Sequence, residues 1–196
     1  MSKGTISLIV IGVVVLLLVG GALTSYNGLV QKDEAAATAW SNVQSQYQRR
    51  ADLIPNLVNT VKGYAKHESG TLESVVAARA KATQLTVNAD ELTPEKMKQL
   101  QAAQGELSQA LGRLLMITEN YPELKANENF RDLQAQLEGT ENRINESRRQ
   151  YNEVVKSYNV GIRSFPANIV AGIFGFEKRT PFEAEAGAEK APSVEF

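Results

Sequence analysis

The feature that most constrains this chain is an uncharged run near its start, TISLIVIGVVVLLLVGGALT over residues 5–24. A helix of that length rises about 30 Å, the thickness of a bilayer's hydrocarbon core. A buried core helix would carry one polar face, and this run has none. A cleaved signal would have a shorter apolar centre and a small-x-small site. Gly20-Gly21-Ala22 supplies small residues, but the sequence beyond it reads on as helix. The run is therefore expected to be a retained anchor within a first unit, residues 1–25. The chain has no cysteine, which excludes lipoprotein processing. Lys3 precedes the run and Lys32 follows it, so the positive-inside rule comes close to a tie. The body is expected outside the cytoplasm.

Beyond Tyr26 every strong pattern is helical. Phe130, Leu137, Ile144, Tyr151, Tyr158 and Phe165 recur every seven residues. A strict repeat of seven drifts against 3.6 residues per turn, which implies a long helix wound left-handedly around its neighbours. Another segment places Met97, Leu100, Gln104, Leu107, Leu111, Leu114 and Thr118 at steps of three and four. Thr93-Pro94-Glu95 opens it as an N-cap with proline at the first helical position, and Pro122 stops it. Tyr26, Trp40, Tyr47, Ile54 and Val61 share one phase in the first soluble segment. That phase survives Pro55, so a kink fits better there than a loop.

Where the first helix reverses is open between two readings. Gly70 and Thr71 can cap and restart a helix; otherwise one helix runs unbroken to about Leu85. The first reading gives two matched outer helices, residues 26–66 and 125–165, about 60 Å each, with shorter ones near 71–87 and 94–119. The expected fold is all-α: a transmembrane helix, then a long antiparallel, up-and-down four-helix bundle over residues 26–165 with coiled-coil-like packing. That topology returns Phe165 to the membrane end.

Residues 166–176 form the next unit. With Phe165 they read FPANIVAGIFGF, too short to span a bilayer. Phe165, Ile169, Ile173, Phe174 and Phe176 are candidate contact residues. The segment caps its own bundle, inserts shallowly into the interface, or packs on a neighbouring subunit. Residues 177–196, with five acids against three bases, are expected to be a disordered tail.

Chemistry is sparse. Without cysteine there is no thiolate nucleophile and no zinc ribbon, and His67 is the single histidine. No phosphate loop and no His-Glu-x-x-His can be built. The Glu-x-x-His pairs of di-metal bundles are missing. No catalytic residue, metal ligand or cofactor is expected. The nearest thing to a site is Arg49, Arg50 and Asp52: an ion-pair network fixing helix register, or alternatively a cluster for an anionic or peptide ligand. Residues 26–176 carry 17 bases and 17 acids, so no basic footprint points to nucleic acid.

Particular runs carry a resemblance. They are Ala39-Trp40-Ser41, Gln48-Arg49-Arg50-Ala51-Asp52-Leu53-Ile54-Pro55-Asn56-Leu57-Val58, and Val61-Lys62-Gly63-Tyr64-Ala65. Later come Tyr121-Pro122-Glu123-Leu124, Leu137-Glu138-Gly139-Thr140-Glu141-Asn142, Tyr151-Asn152, Tyr158-Asn159, Phe165-Pro166-Ala167-Asn168 and Phe174-Gly175-Phe176. The chain resembles the LemA proteins of bacteria from its anchor to about Phe182. The resemblance implies a single-pass bacterial membrane protein, expected in the inner membrane, with an α-helical bundle, and supplies neither an enzymatic activity nor a defined catalytic site. The expected function is a membrane-anchored scaffold that self-associates through its bundle and residues 165–176. The alternative is an adaptor or sensor that regulates a membrane enzyme or protease. Expected partners are the lipid bilayer, further copies of the chain and other membrane proteins.

Overall fold

The computed structural model of this chain describes residues 3–65 and 67–183. Among them are six α-helices and no strand: α1 Lys3–Tyr64, α2 Ser69–Gln84, α3 Pro94–Thr118, α4 Pro122–Ala126, α5 Glu128–Gly161 and α6 Ala167–Phe174. A 3-10 turn, Ala89–Glu91, lies between α2 and α3.

The 62-residue α1, about 93 Å long, meets two environments. Residues 3–24 are exposed on every side, and this stretch is long and apolar enough to cross a membrane. From Leu29 onward burial narrows to one stripe: Leu29, Ala36, Trp40, Val43, Tyr47, Ile54, Leu57 and Val61. An apolar cylinder thus becomes an amphipathic helix with no break in its backbone.

Pro55 lies inside α1. Proline has no N–H, so the carbonyl of Ala51, four residues earlier, loses its ordinary helical donor. A neighbouring helix supplies one: Arg79 Nε, on α2, donates to Ala51 O at 2.7 Å. The helix continues through Pro55 and ends at Tyr64; α2 begins at Ser69, so the chain reverses near Gly70 and does not run on to Leu85. Gly70 and Thr71 sit inside α2 and not at its boundary, and the N-cap position is Glu68.

α5 runs back along α1. Asn127 donates to the Tyr64 hydroxyl at 3.0 Å at the far end, and Leu29 packs with Tyr158 and Ile162 at the near end. The repeat fills this contact: Phe130, Leu137, Ile144, Tyr151 and Tyr158 are all buried. Phe165 leaves the pattern, because α5 ends at Gly161 and the chain turns at Phe165-Pro166. α5 also starts later than position 125, since Pro122–Ala126 forms a separate turn and the Asn127 side chain accepts from Phe130 N at 3.0 Å. α3 opens as expected, with Thr93 Oγ1 accepting from Lys96 N at 3.2 Å and Pro94 at its first turn.

Burial divides into three zones along the rod. The far zone joins Ile54, Leu57, Val75, Leu107, Leu114 and Phe130. The middle zone joins Trp40, Val43, Met97, Leu100, Ile144, Tyr151 and Phe182. The near zone joins Leu29, Tyr158, Ile162, Val170 and Ala171. Phe182 requires a correction to the expected tail: residues 177–183 lie against the helices, while the expected disorder of residues 184–196 falls outside the described residues.

The Pro55–Arg79 pairing predicts a specific coupling. Arg79→Met should cost about 1–2 kcal/mol, because a partly buried carbonyl loses its donor. In a Pro55→Ala background the restored N–H serves Ala51 O, and the same change should cost clearly less. Thermal unfolding of the four proteins in detergent measures both costs; equal costs would disprove the pairing.

Candidate functional site

Of the three charged residues singled out in the sequence, one points inward. Arg50 is 1% exposed, and Val43, Arg50 and Leu57 stand seven apart on the buried stripe. Its guanidinium pairs with Glu141 on α5, donates to Gln104 Oε1 on α3 at 2.5 Å and to Ser108 Oγ at 2.9 Å. Nε has no partner among the described residues. This polar layer sits between the far and middle zones and ties α1, α3 and α5 in one register. Arg49 and Asp52 face solvent along a shallow groove with Gln48, Leu53 and Gln136. They do not pair with each other: Asp52 accepts from Gln48 Nε2 at 2.7 Å, one turn back on the same face. His67 is exposed in the α1–α2 turn. Among the described residues no group of three or more acidic or histidine side chains is placed to hold a metal ion.

The second candidate group gathers where α1 leaves its apolar run. Val170 and Ala171 of α6 are buried against Leu29, Tyr158 and Ile162. The Tyr26 ring lies 4.7 Å from Phe174 and 5.7 Å from Phe176. Gly161 makes the close approach of α5 to α1 possible, since a β-carbon there would meet the Lys32 side chain at 3.2–3.3 Å. Phe165, Ile169, Ile173 and Phe174 remain exposed, at 82%, 54%, 72% and 61%. Phe176 is half-buried beneath Tyr26. The segment therefore covers the base of its own body with one face and leaves the other bare.

A third group was not foreseen, a clasp made by residues 179–183. Asn159 Nδ2 donates to Arg179 O at 2.8 Å while its Oδ1 accepts from Arg179 N at 3.0 Å. Asn152 does the same for Phe182, at 3.0 and 2.8 Å. The spacing explains the fit. Seven helical residues rise about 10.5 Å and three extended residues about 10 Å, so two asparagines one heptad apart match positions 179 and 182. Tyr151 Oη donates to Thr180 O at 2.9 Å between them.

Side chains of the clasp occupy made-to-measure seats. The Arg179 Nε donates to Asp33 at 2.6 Å, and its terminal nitrogens donate to Ala89 O and Asp90, each at 2.9 Å. The hydrogen bond it donates to Asp33 raises the guanidinium above its ordinary range. Phe182 lies 5.8 Å from Trp40 and 5.5 Å from Tyr151, under the Arg148 guanidinium at 4.6 Å. The signal in the sequence was the repeated Tyr-Asn at 151–152 and 158–159.

Burial pushes the phenols of Tyr151 and Tyr158 up to about 12, with the Asp33 carboxylate adding to it at Tyr158. The folded state thus favours the neutral phenol. Its stabilisation is complete below the unfolded value of about 10 and is lost as pH rises towards about 12. Two expectations follow for the clasp. Asn152→Ala combined with Asn159→Ala should raise amide hydrogen exchange at Arg179 and Phe182 at least tenfold, about 1.4 kcal/mol or more of lost protection. In the unaltered chain the same amides should lose protection, with tyrosinate absorbance rising, between about pH 10 and 12; protection kept past the phenol transition would refute the coupling.

Comparison with known proteins places this architecture. The magnetosome protein MamQ 2 of Paramagnetospirillum magneticum is 28% identical over 189 residues, covering 88% of this chain and 69% of that protein. The magnetosome protein MamQ of Magnetospirillum gryphiswaldense is 29% identical over 193 residues, with the same coverage of 88% and 69%. The protein LemA of Metamycoplasma hominis is 26% identical over 145 residues, covering 74% of this chain and 63% of that protein. The LemA family model matches residues 39–196, from the start of the Ala39-Trp40-Ser41 run through the α5 repeat and the clasp. On that match the chain belongs to the LemA family.

Proposed function

We propose that this LemA-family chain is a non-enzymatic, membrane-anchored scaffold that self-associates in the plane of the membrane. In this reading residues 5–24 cross the bacterial inner membrane. The following residues, 26–165, form an antiparallel four-helix stalk outside the cytoplasm, wound with left-handed, coiled-coil-like packing. The observation that carries the proposal is α1 itself, one helix from Lys3 to Tyr64. A helix without a hinge transmits its orientation, so every face of the stalk is held at a fixed height above the bilayer. The polar layer around Arg50 supports a structural reading, because its three partners lie on α3 and α5, where they lock register.

The adaptor reading rests on a different observation. An open groove of about 380 Å³ runs beside Trp40, lined by Gln44, Gln48, Thr83 and Thr86 and by the apolar Leu85 and Leu100. Uncharged amides and hydroxyls of this kind suit the backbone of a partner's peptide.

The absence of cysteine makes the test direct, since one introduced thiol is unique in the chain. Arg49→Cys on the α1 face and Val76→Cys on α2 are both exposed. Oxidation in native membranes should yield disulfide-linked dimers from at least one of them, and native mass spectrometry from lipid nanodiscs should give multiples of the chain mass. Monomers in both experiments would overturn self-association. Adducts only with a different chain would transfer the case to the adaptor.

A further inference from the structure

The bare face of α6 calls for an occupant. Ile169 and Ile173 stand four residues apart on one side of α6, with Phe174 beside Ile173, and Phe165 is exposed just before the helix. The opposite side, Val170 and Ala171, is already spent on the body. No charge occurs in residues 165–176; exposed Arg163 precedes them, and exposed Glu177 and Lys178 follow.

Position identifies the occupant. Tyr26 lies two residues beyond the apolar run, about 3 Å along the helix axis. The Phe174 ring is 4.7 Å from the Tyr26 ring. A headgroup layer is about 5–7 Å thick on each side of the hydrocarbon core, so the last turn of α6 lies within it wherever residues 5–24 span. Tyrosine at that depth is the ordinary aromatic anchor. A second copy of the chain fits less well. Four side chains at these exposures offer on the order of 500 Å², against about 800 Å² per partner in a stable interface.

We infer that α6 is a second membrane contact: its Ile169–Ile173–Phe174 face, with Phe165 just ahead of it, lies in the headgroup–acyl boundary of the same leaflet from which α1 emerges. Arg163 and Lys178 meet lipid phosphates on either flank. A face this small gives only weak partitioning by itself. Fixed to the body through Val170, Ala171 and Tyr26, it needs little more to stay down. This inference rests on the reading that residues 5–24 cross the bilayer.

Site-directed spin labelling of the full chain in phosphatidylcholine–phosphatidylglycerol vesicles tests both together. Single cysteines at Ile169 and Ile173 carry the label, with Leu16→Cys as the span control and Val76→Cys as the aqueous control. Oxygen concentrates in lipid and a nickel chelate in water. The oxygen-to-nickel collision ratio at Ile169 and Ile173 should exceed that at Val76 several-fold and stay below that at Leu16. An aqueous ratio at Ile169 and Ile173 with a lipid ratio at Leu16 would overturn the α6 contact alone. An aqueous ratio at Leu16 as well would remove the anchor reading beneath it. Labels shielded from both reagents, with dipolar broadening between copies, would give the face to a second chain and overturn the lipid contact.

Discussion

The structure depends on keeping one backbone helical from an exposed apolar stretch into a packed body. The weak point of α1 is Pro55, where the ring removes a donor that Ala51 O needs. A helix interrupted there would end in a loop and could not set the far zone, whose Ile54, Leu57 and Val61 all come from the last three turns. Arg79 answers the deficit from α2, a helix that exists only because α1 has already turned back. Continuity of the spine and docking of its neighbour thus support each other. That mutual dependence makes the far end of the rod one cooperative unit.

The Arg50 layer answers a different problem, that of register. Heptad repeats let two helices slide by seven residues with little change in apolar contact. A buried guanidinium that must meet Glu141, Gln104 and Ser108 on two other helices opposes that freedom, because a one-heptad slip of α5 would replace Glu141 by Gln134 or Arg148 and lose the ion pair. The layer's effect lies in the cost it imposes on alternatives more than in stability of its own. Glu141 is partly open to solvent, so its pairing with Arg50 is screened compared with the fully enclosed contact to Gln104.

Much of this was legible in the chain before any coordinates. The repeat from Phe130 to Tyr158 marked the buried face of α5, and Thr93-Pro94 marked the start of α3. The inward turn of Arg50 was readable too, from its place seven residues after Val43 and seven before Leu57. It was blurred by the adjacent Arg49 and Asp52, which composition groups with it and phase separates. The clasp was hidden for a physical reason. Its Arg179 and Phe182 sit in a stretch whose acidic, proline- and alanine-containing make-up argues for disorder, and nothing local to that stretch stabilises it. All its partners are remote: Asp33, Asp90, Asn152, Asn159, Trp40 and Tyr151. Composition reports what a segment can do alone, and this one never acts alone.

A single spanning helix fixes the height of what it carries, but leaves rotation about its own axis free. An off-axis contact is what removes that freedom, and α6 stands off-axis by construction, reached through α5 and not through α1. The clasp matters here because it secures the other side of α6. The chain leaving Phe176 is seized within three residues, where Asn159 holds the Arg179 backbone and the Asp33 and Asp90 carboxylates hold its guanidinium. α6 is therefore held at both ends, by α5 before it and the clasp after it, with Tyr26 against its last turn. A helix so restrained cannot swing to find its own partner; its bare face is presented in one direction only. If that direction is the lipid surface, each stalk stands with the same side forward. Lateral assembly of identical rods requires that condition, because an isologous or repeating contact forms only between copies that share an orientation.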